Sequence, residues 1–356
     1  MKRSVEQLLR PDILGMAAYK VADATGYIKL DAMENPYRLP PELRRELGRR
    51  LADVLINRYP DPAGSQLKQD LAQAFAIPSG AAILLGNGSD EIITLLTQAV
   101  ATPGAKVMAL EPSFVMYRMN AQFSRIEYLS VPLNSDFSLN LPLTLEQIRQ
   151  HQPEVIFIAY PNNPTGNRFQ RHEVEAILDA ATGLVVVDEA YQAFADDSFM
   201  DLVGQVDNLL VMRTLSKLGM AGIRLGYAAS TPAWIEALNK VRPPYNVNVL
   251  TQETARFLLE HRAVFDQQAL ELRQERTRLS ACLSTFDGLT QFASEANFIT
   301  VRVSDADHLF AHFKQAKILI KNLHGSHPLL AQCLRITVGS PDENDAVLAA
   351  LTAYFD

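Results

Sequence analysis

Hydrophobic positions along this chain follow two spacings that alternate over most of its length. Between residues 41 and 57, leucines recur every four positions, which predicts an amphipathic helix. Further on, short uninterrupted apolar runs alternate with stretches of helical spacing. The runs that we predict to be strands are Ala82–Leu85, Lys106–Leu110, Ile126–Val131, Val155–Ala159, Leu184–Val187, Leu209–Arg213 and Arg224–Ala229.

Continuous strands of Val, Ile and Leu separated by helices are typical of a mostly parallel sheet that is covered on both faces. We therefore expect an α/β fold with a seven-stranded sheet between helices. The last third of the chain has a different pattern, in which a long helical stretch over residues 264–286 precedes three strand-like runs, Asn297–Val303, Ile318–Lys321 and Leu334–Val338. This pattern predicts a smaller α+β domain at the C-terminal end.

Pro243 and Pro244 interrupt a helical pattern and indicate a hinge between the two domains. The expected division is an N-terminal arm over residues 1–35, a large domain over 36–245 and a small domain over 246–356.

Composition and charge exclude several classes of protein. The 356 residues are 48% hydrophobic and carry a formal net charge of −7 without a long basic run, which argues against nucleic-acid binding. No apolar stretch approaches the roughly 18–20 residues that cross a membrane, and the first residues do not form a signal-peptide pattern. Cys282 and Cys333 are too far apart for a disulfide framework or a paired metal site, so we expect a cytoplasmic protein.

A lysine follows one of the predicted strands, where Thr214-Leu215-Ser216-Lys217 precedes Arg224. By itself, a lysine after a serine is an ordinary feature of a surface loop. Its meaning depends on the polar residues at the ends of the neighbouring strands.

Two of those neighbouring strands also end in polar residues. Asp188 closes one apolar run and Asn163 follows another, and ligands of α/β sheets bind at the carboxyl ends of strands. A strand that ends in Asp-Glu also occurs in P-loop ATPases, but this chain has no Gly-Lys dipeptide and therefore no P-loop. The structural alternatives are an acid that caps the next helix and a simple turn.

A glycine-containing segment, Gly86-Asn87-Gly88-Ser89-Asp90-Glu91, links a predicted strand to a helix. Glycine lets the backbone approach a phosphate, and the start of the helix supplies free amides. The dinucleotide-binding pattern needs a third glycine where this chain has Glu91, so a phosphate site of another kind is expected.

Together these segments meet the requirements of one cofactor, pyridoxal phosphate. It needs a lysine for the Schiff base, a carboxylate facing the pyridine nitrogen, donors to the ring oxygen and a cradle for the phosphate. The residues that supply these roles are Lys217, Asp188, Asn163 with Tyr191, and Gly88, Ser89, Asp90, Ser216 and Arg224.

The same segments resemble the signatures of the fold-type I, class-II pyridoxal-phosphate-dependent aminotransferases. Within that group, the chain is most similar to the histidinol-phosphate aminotransferase family, and the similarity spans most of the chain. The segments that carry the resemblance are residues 163–166, 188–191, 216–217 and 222–226 for the group, and 30–36, 57–61, 88–91 and 333–339 for the family.

The resemblance implies a role for each residue of the site. Lys217 would carry the cofactor and shuttle a proton, Asp188 would face the pyridine nitrogen, and Asn163 and Tyr191 would donate to the ring oxygen. Tyr117 would stack on the cofactor ring. The other residues that it implies are Thr214, Ser216 and Arg224 for the cofactor phosphate, Tyr59 for the phosphate in a neighbouring subunit, and Tyr19, Asn35, Lys321 and Arg335 for the substrate.

One position departs from the family, which usually has arginine where this chain has Lys321. Lysine keeps the charge but loses the bidentate fork. His324 and His327 follow in the next loop and could add charge near a phosphate, although loop histidines are more often solvent-exposed. His308 and His312 have helical spacing, but no further ligand is evident, so we expect no metal site.

The resemblance implies ping-pong transamination between histidinol phosphate and 2-oxoglutarate in histidine biosynthesis, by a homodimer with shared active sites. An aromatic amino-acid aminotransferase and a threonine-phosphate decarboxylase are alternatives on the same fold, because the reaction depends on how the substrate is oriented. A non-catalytic protein that senses pyridoxal phosphate is an alternative of another class. It would need a DNA-binding module, for which the arm before residue 30 is too short.

Overall fold

The computed structural model describes residues 2–18 and 21–356. The described helices are α1 (Val5–Leu8), α2 (Pro11–Leu14), α3 (Pro41–Ala52), α4 (Ser65–Ala74), α5 (Ser89–Val100), α6 (Met116–Phe123), α7 (Leu141–His151), α8 (Arg171–Ala180), α9 (Pro232–Asn239), α10 (Val249–Glu260), α11 (Arg262–Leu283), α12 (Ala306–Gln315) and α13 (Pro341–Phe355). The described strands are β1 (Ile28–Lys29), β2 (Ala82–Asn87), β3 (Lys106–Glu111), β4 (Glu127–Pro132), β5 (Val155–Ala159), β6 (Leu184–Asp188), β7 (Leu209–Thr214), β8 (Leu225–Ser230), β9 (Thr290–Gln291), β10 (Phe298–Arg302), β11 (Ile318–Leu319), β12 (Lys321–Asn322) and β13 (Cys333–Thr337).

The predicted seven-stranded sheet is confirmed, with the strand order β2-β8-β7-β6-β5-β3-β4. The pairs from β7 through β6, β5 and β3 to β4 are parallel, and β8 is antiparallel to both of its neighbours. Because β5, β6 and β7 are adjacent and parallel, the residues that follow them come together at one edge of the sheet.

Helices cover both faces of this sheet, which explains the uninterrupted apolar strands. In β5, Ile156 and Ile158 pack into one hydrophobic core, while Val155 and Phe157 pack into a second core on the opposite face. All five residues of β5 and all five of β6 are buried. A polar residue is therefore accommodated only at the strand ends, where the chain leaves the sheet.

The C-terminal part forms a four-stranded antiparallel sheet in the order β12-β13-β10-β9. The single strand predicted near residues 318–321 is two short strands, because β11 pairs with β1 and the chain then turns to pair β12 with β13. The predicted α+β character of this part is confirmed by its strands and by α12 and α13.

The N-terminal segment joins this C-terminal part, although it was expected to be an arm. Ile28 pairs with Ile318 in a parallel ladder, and the Thr337 amide donates to the Leu30 carbonyl at 3.0 Å. The Asn297 side-chain amide donates to the Met33 carbonyl at 3.0 Å. Residues 28–33 are thereby held beside β13, and the division of the chain into three domains stays a prediction.

The helices that were not predicted include α7, α9 and α10, and the first two of these have a proline in their first turn. The predicted hinge near residues 241–248 is a loop, and Asn248 ends it by accepting a hydrogen bond from the Thr251 amide at 2.9 Å. No helix in the described ranges has the length and apolar character that a membrane crossing requires.

A buried ion pair joins the ends of β6 and β7. The Arg213 Nε atom donates to the Glu189 carboxylate at 2.9 Å, and the Phe199 amide donates to the same carboxylate at 2.6 Å. Glu189 is 1% exposed and Arg213 is 6% exposed. Burial raises the pKa of Glu189, while Arg213 opposes that rise, so each charge depends on the other for its stability.

We expect Arg213→Met to lower the free energy of unfolding by about 3–5 kcal/mol, because it leaves a buried carboxylate without its cation. Urea denaturation at neutral pH measures this loss. The double variant Glu189→Gln/Arg213→Met is the control and should recover a large part of the stability. A single variant as stable as the parent would show that the Glu189 carboxylate does not need the pair.

Candidate active site

A cleft with about 590 Å³ of open space lies at the carboxyl ends of β5, β6 and β7. Segments that are far apart in the sequence contribute its walls, because the parallel strands all end there. The predicted site residues that line it are Ser89, Asp90, Tyr117, Asn163, Asp188, Tyr191, Thr214, Ser216, Lys217 and Arg224. The structure therefore brings together most of the residues that the sequence indicated.

Lys217 lies in a wide turn, Ser216–Met220, that follows β7. Its Nζ atom donates to the Ala32 carbonyl of the N-terminal segment at 3.0 Å. Burial, together with the nearby Arg335 guanidinium, lowers the pKa of Lys217 to about 8. A substantial fraction of the neutral, nucleophilic amine is therefore present close to neutral pH.

The turn that carries Lys217 depends on Gly219 and Asn35. Gly219 has a φ of +122°, and a Cβ atom there would lie 2.9 Å from the Asn35 side-chain nitrogen. That nitrogen donates to the Leu218 carbonyl at 3.2 Å and to Gln268 Oε1 at 3.0 Å. Asn35 thus supports the lysine turn from outside the cleft, and its predicted contact with substrate stays a prediction.

Asp188 ends β6 and is 4% exposed. Its Oδ2 atom accepts a hydrogen bond from the Tyr117 hydroxyl at 2.6 Å, and its Oδ1 atom accepts one from the Ala190 amide at 3.1 Å. Burial raises the pKa of Asp188 to about 6, and these two hydrogen bonds oppose that rise. Within the described ranges, no basic side chain lies at ion-pair distance from this carboxylate.

Asn163 and Tyr191 lie on the wall of the cleft beside Asp188. Asn163 Oδ1 accepts a hydrogen bond from Arg335 Nη1 at 2.6 Å, which leaves its amide nitrogen available as a donor. Burial raises the pKa of Tyr191, so its hydroxyl stays protonated and can donate as well.

Arg335 lies in β13, directly opposite Lys321 in β12. Cross-strand partners point to the same face of a sheet, so the two predicted substrate-binding cations share one face. Arg335 is held by its bonds to Asn163 and to the Asp31 carbonyl, the latter at 2.8 Å, and its guanidinium lies over the Phe298 ring at 5.2 Å.

An anion cradle forms where α5 begins at Ser89. Gly88 has a φ of +77°, and a Cβ atom there would lie 2.8 Å from an Arg224 nitrogen. A Cβ atom at Gly226 would lie 2.6 Å from the Ser89 amide nitrogen. The two glycines therefore keep the start of the helix and the arginine close enough to bind one anion together.

Two hydroxyl groups complete this cradle. Thr214 Oγ1 lies 2.9 Å from Ser216 Oγ, and Arg224 Nη1 lies 3.4 Å from the same Ser216 atom. The residues of the cleft thus fit pyridoxal phosphate in three respects. They provide a buried carboxylate without a cation, a lysine of lowered pKa and a cradle of amides and hydroxyls beside an arginine.

Two aromatic residues of the cleft have different surroundings. The Tyr117 ring is fully buried and stacks on Phe157 at 4.6 Å and 5°, while its hydroxyl is bonded to Asp188. Phe114 also lines the cleft and meets Tyr117 edge-on at 5.7 Å. Phe114 is a site residue that the sequence analysis missed, and its position three residues after the end of β3 is the signal that could have indicated it.

One predicted residue is not among the described residues, and another lies away from the cleft. Tyr19 is outside the described residues. Tyr59 is 80% exposed and stacks on Tyr245 at 4.4 Å, away from the cleft of its own chain. Its predicted role in a neighbouring subunit stays a prediction.

The two histidines after β12 support their own loop. His324 Nδ1 accepts a hydrogen bond from the Gln332 amide at 2.9 Å, and His327 Nδ1 accepts one from the Leu329 amide at 3.2 Å. His308 and His312 contact α13, the latter through the Ala350 carbonyl at 2.9 Å. In the described ranges, no group of three or more potential ligands is arranged for a metal ion.

Comparison with known proteins adds independent information on the family. The family model described as aminotransferase class I and II matches residues 25–351. A histidinol-phosphate aminotransferase from Chromobacterium violaceum is 65% identical over 100% of both chains. Histidinol-phosphate aminotransferase 2 from Cupriavidus pinatubonensis is 54% identical over 98% of this chain and 97% of its own.

Solved structures show the same fold. A histidinol-phosphate aminotransferase from Sinorhizobium meliloti in complex with pyridoxal-5'-phosphate matches with a TM-score of 0.86 and 24% identity, over 98% of this chain and 97% of that one. An L-threonine-O-3-phosphate decarboxylase from Porphyromonas gingivalis matches with a TM-score of 0.79 and 24% identity, over 92% of this chain and 99% of that one. At such identities the likeness concerns the fold alone, whereas the family model and the two close relatives cover nearly the whole chain. The chain therefore belongs to the class I and II aminotransferases and, within them, to the histidinol-phosphate aminotransferase family.

Proposed function

We propose that this chain is a pyridoxal-phosphate-dependent transaminase that moves an amino group from histidinol phosphate to 2-oxoglutarate, as a step of histidine biosynthesis. The observation that carries this proposal is the 65% identity with a histidinol-phosphate aminotransferase over the full length of both chains. The cleft supports it, because its charged groups match the cofactor and an anionic substrate. The aromatic aminotransferase and the decarboxylase are not favoured, since both of the close relatives over the whole chain are histidinol-phosphate aminotransferases.

Each residue of the cleft has a distinct task in this reaction. When bound, pyridoxal phosphate supplies a reactive aldehyde and an electron-withdrawing ring that stabilises a carbanion next to the substrate nitrogen. Asp188 would hold a negative charge toward the ring nitrogen, and Asn163 and Tyr191 would donate hydrogen bonds to the ring oxygen. Ser89 and Arg224 would hold the phosphate at the start of α5, with the remaining residues of the cradle.

Lys217 moves the proton. Its Nζ atom is oriented by the Ala32 carbonyl, and its lowered pKa makes the neutral amine a competent base. After it has taken a proton from the substrate α-carbon, the same nitrogen can return that proton to a neighbouring atom. A single flexible side chain thereby serves both directions of the transfer.

Arg335 and Lys321 select the anionic end of each substrate. Arg335 is fixed by Asn163 and the Asp31 carbonyl, so its guanidinium has a defined position and direction in the site. Lys321 has a flexible stem and can follow either a carboxylate or a phosphate. One pocket can thus accept glutamate and histidinol phosphate in turn.

We also propose that the protein acts in the cytoplasm as a homodimer with shared active sites. Leu55, Ile56 and Tyr59 are 68%, 73% and 80% exposed and form an apolar surface that a second copy would cover. The Tyr59–Tyr245 stack holds the Tyr59 ring outside its own cleft, as a residue that serves a neighbouring site requires. Cys282 and Cys333 are both free thiols, which agrees with a reducing compartment.

We expect Lys217→Ala to abolish turnover and covalent capture of the cofactor, while pyridoxal phosphate still binds without a covalent link. In the parent enzyme, the rate of capture should rise with pH through about 8, because the neutral amine of Lys217 is the nucleophile. Borohydride reduction followed by peptide mapping identifies the labelled lysine. Lys68→Ala is the control, since burial also lowers the pKa of Lys68, and labelling there in the parent enzyme would refute the assignment.

We expect Tyr59→Phe to weaken cofactor retention about tenfold, the effect of one lost hydrogen bond to a charged group. Equilibrium dialysis of the cofactor measures this change. The premise that Tyr59 serves the site of a second subunit is tested by sedimentation at low protein concentration, where the parent enzyme should remain a dimer. An active, stable monomer would contradict the shared site.

We expect Arg335→Ala to impair the half-reactions of both substrates by roughly 2–4 kcal/mol, because each anion loses a desolvated, hydrogen-bonded cation. Lys321→Ala should impair histidinol phosphate more than glutamate, and Lys321→Arg should be tolerated. The measurement is kcat/KM for each half-reaction, and Lys314→Ala on α12 is the control for a lost lysine. If Lys321→Ala leaves histidinol phosphate unaffected but impairs an aromatic amino acid, the aromatic aminotransferase becomes the better assignment.

A further inference from the structure

The Tyr117 hydroxyl and the Asp188 carboxylate are each other's closest polar partners in the cleft. The hydroxyl donates to Asp188 Oδ2 at 2.6 Å, a distance typical of a charge-assisted hydrogen bond from a hydroxyl to a carboxylate. Tyr117 is fully buried and Asp188 is 4% exposed, so water does not compete for this bond. The contact joins the first turn of α6 to the end of β6, which are 71 residues apart in the sequence.

The residues around Tyr117 fix the position of its ring and keep its hydroxyl protonated, so that it acts as a hydrogen-bond donor. Phe157 stacks on the ring at 4.6 Å, and Phe114 meets it edge-on at 5.7 Å. Burial raises the pKa of Tyr117 well above its ordinary value, and the Asp188 charge raises it further, so the hydroxyl is always a donor. Because Phe157 occupies one face of the Tyr117 ring, Phe114, which also lines the cleft, is the better candidate for stacking on the cofactor.

We propose that Tyr117 is a positioning residue that keeps Asp188 ionised and correctly oriented, so that the proton shared with the cofactor resides on the ring nitrogen. This inference rests on the proposed function, since it assumes that pyridoxal phosphate binds in the cleft. It assigns to Tyr117 a role that differs from the stacking role that the resemblance implied.

In the holoenzyme, the Asp188 carboxylate and the ring nitrogen would compete for one proton. Burial raises the pKa of Asp188 to about 6, which makes the carboxylate a stronger competitor for the proton than an exposed carboxylate would be. Donated hydrogen bonds stabilise the carboxylate and act against this effect. Tyr117 provides the largest opposing contribution, and the Ala190 amide provides the next.

Of the two hydrogen bonds to Asp188, only the one from Tyr117 is donated by a side chain. The Ala190 amide belongs to the backbone and remains in any substitution, whereas Tyr117→Phe removes one hydroxyl and keeps the ring in its packing. Without that hydroxyl, Asp188 becomes more basic and draws the proton away from the ring nitrogen. A ring with less positive charge withdraws electrons less well, and its bond to Asp188 loses part of its ionic character.

The test uses the holoenzyme loaded with pyridoxal phosphate that carries nitrogen-15 in its ring. The nitrogen-15 NMR shift reports directly whether the ring nitrogen is protonated, independently of turnover. In the parent enzyme we expect the shift of a protonated pyridine, and in Tyr117→Phe a displacement toward the neutral form. The dissociation constant of the cofactor should rise roughly tenfold in the same variant, as for the loss of a hydrogen bond to a charged group.

Tyr128→Phe is the matched control. The Tyr128 hydroxyl also donates to a buried carboxylate, Glu111, at 2.5 Å, but neither residue lines the cleft. This variant loses the same type of bond and should leave both the nitrogen shift and the cofactor affinity unchanged. In Asp188→Asn, the further change Tyr117→Phe should have no additional effect on the shift, because the carboxylate through which Tyr117 acts is gone.

Two results would overturn the inference: an unchanged nitrogen shift in Tyr117→Phe, or an equal displacement in Tyr128→Phe. The pyridinium shift in the parent enzyme, together with covalent capture at Lys217, tests the proposed function separately. If the parent enzyme fails to bind the cofactor, the proposed function is wrong. If it binds the cofactor and only the variant behaves unexpectedly, the role of Tyr117 is wrong.

Discussion

The carboxylate of Asp188 has been removed from water at the end of a buried strand, and no cationic side chain of the described ranges lies within ion-pair distance. Burying an unpaired charge is costly, so the surrounding structure has to stabilise it in other ways. The Tyr117 hydroxyl and the Ala190 amide supply two hydrogen bonds, and a positively charged cofactor ring would supply the missing ion pair. On the proposed function, the cofactor would therefore complete an electrostatic arrangement that the fold leaves incomplete.

The rest of the site follows from the topology that places Asp188. Strands β5, β6 and β7 are adjacent and parallel, so they all end at one edge of the sheet. Asn163 and Lys217, which follow β5 and β7, therefore lie close to Asp188 although they are far from it in the sequence. The antiparallel strand β8 returns beside β7 and brings Arg224 to the start of α5. The N-terminal segment closes the site from the opposite side, where the Ala32 carbonyl orients the lysine.

The seven strands of the large sheet could be predicted because burial on both faces requires uninterrupted apolar runs. The position of Asp188 could be predicted because it directly follows one of these runs. The pairing of β1 with β11 could not be predicted, since a strand of two residues is too short to show a periodic pattern. The different surroundings of Phe114 and Tyr117 could not be predicted either, because the orientation of two nearby aromatic rings depends on packing against Phe157 and not on spacing in the sequence.

The central claim, that the Asp188 carboxylate requires a cationic ring, is tested most directly by comparing two cofactors. The dissociation constant is measured for pyridoxal phosphate and for its analogue in which the ring nitrogen is replaced by carbon. The arrangement predicts that the analogue binds far more weakly to the parent enzyme and that this difference largely disappears in Asp188→Asn. Equal affinity of the parent enzyme for the two compounds would contradict the claim.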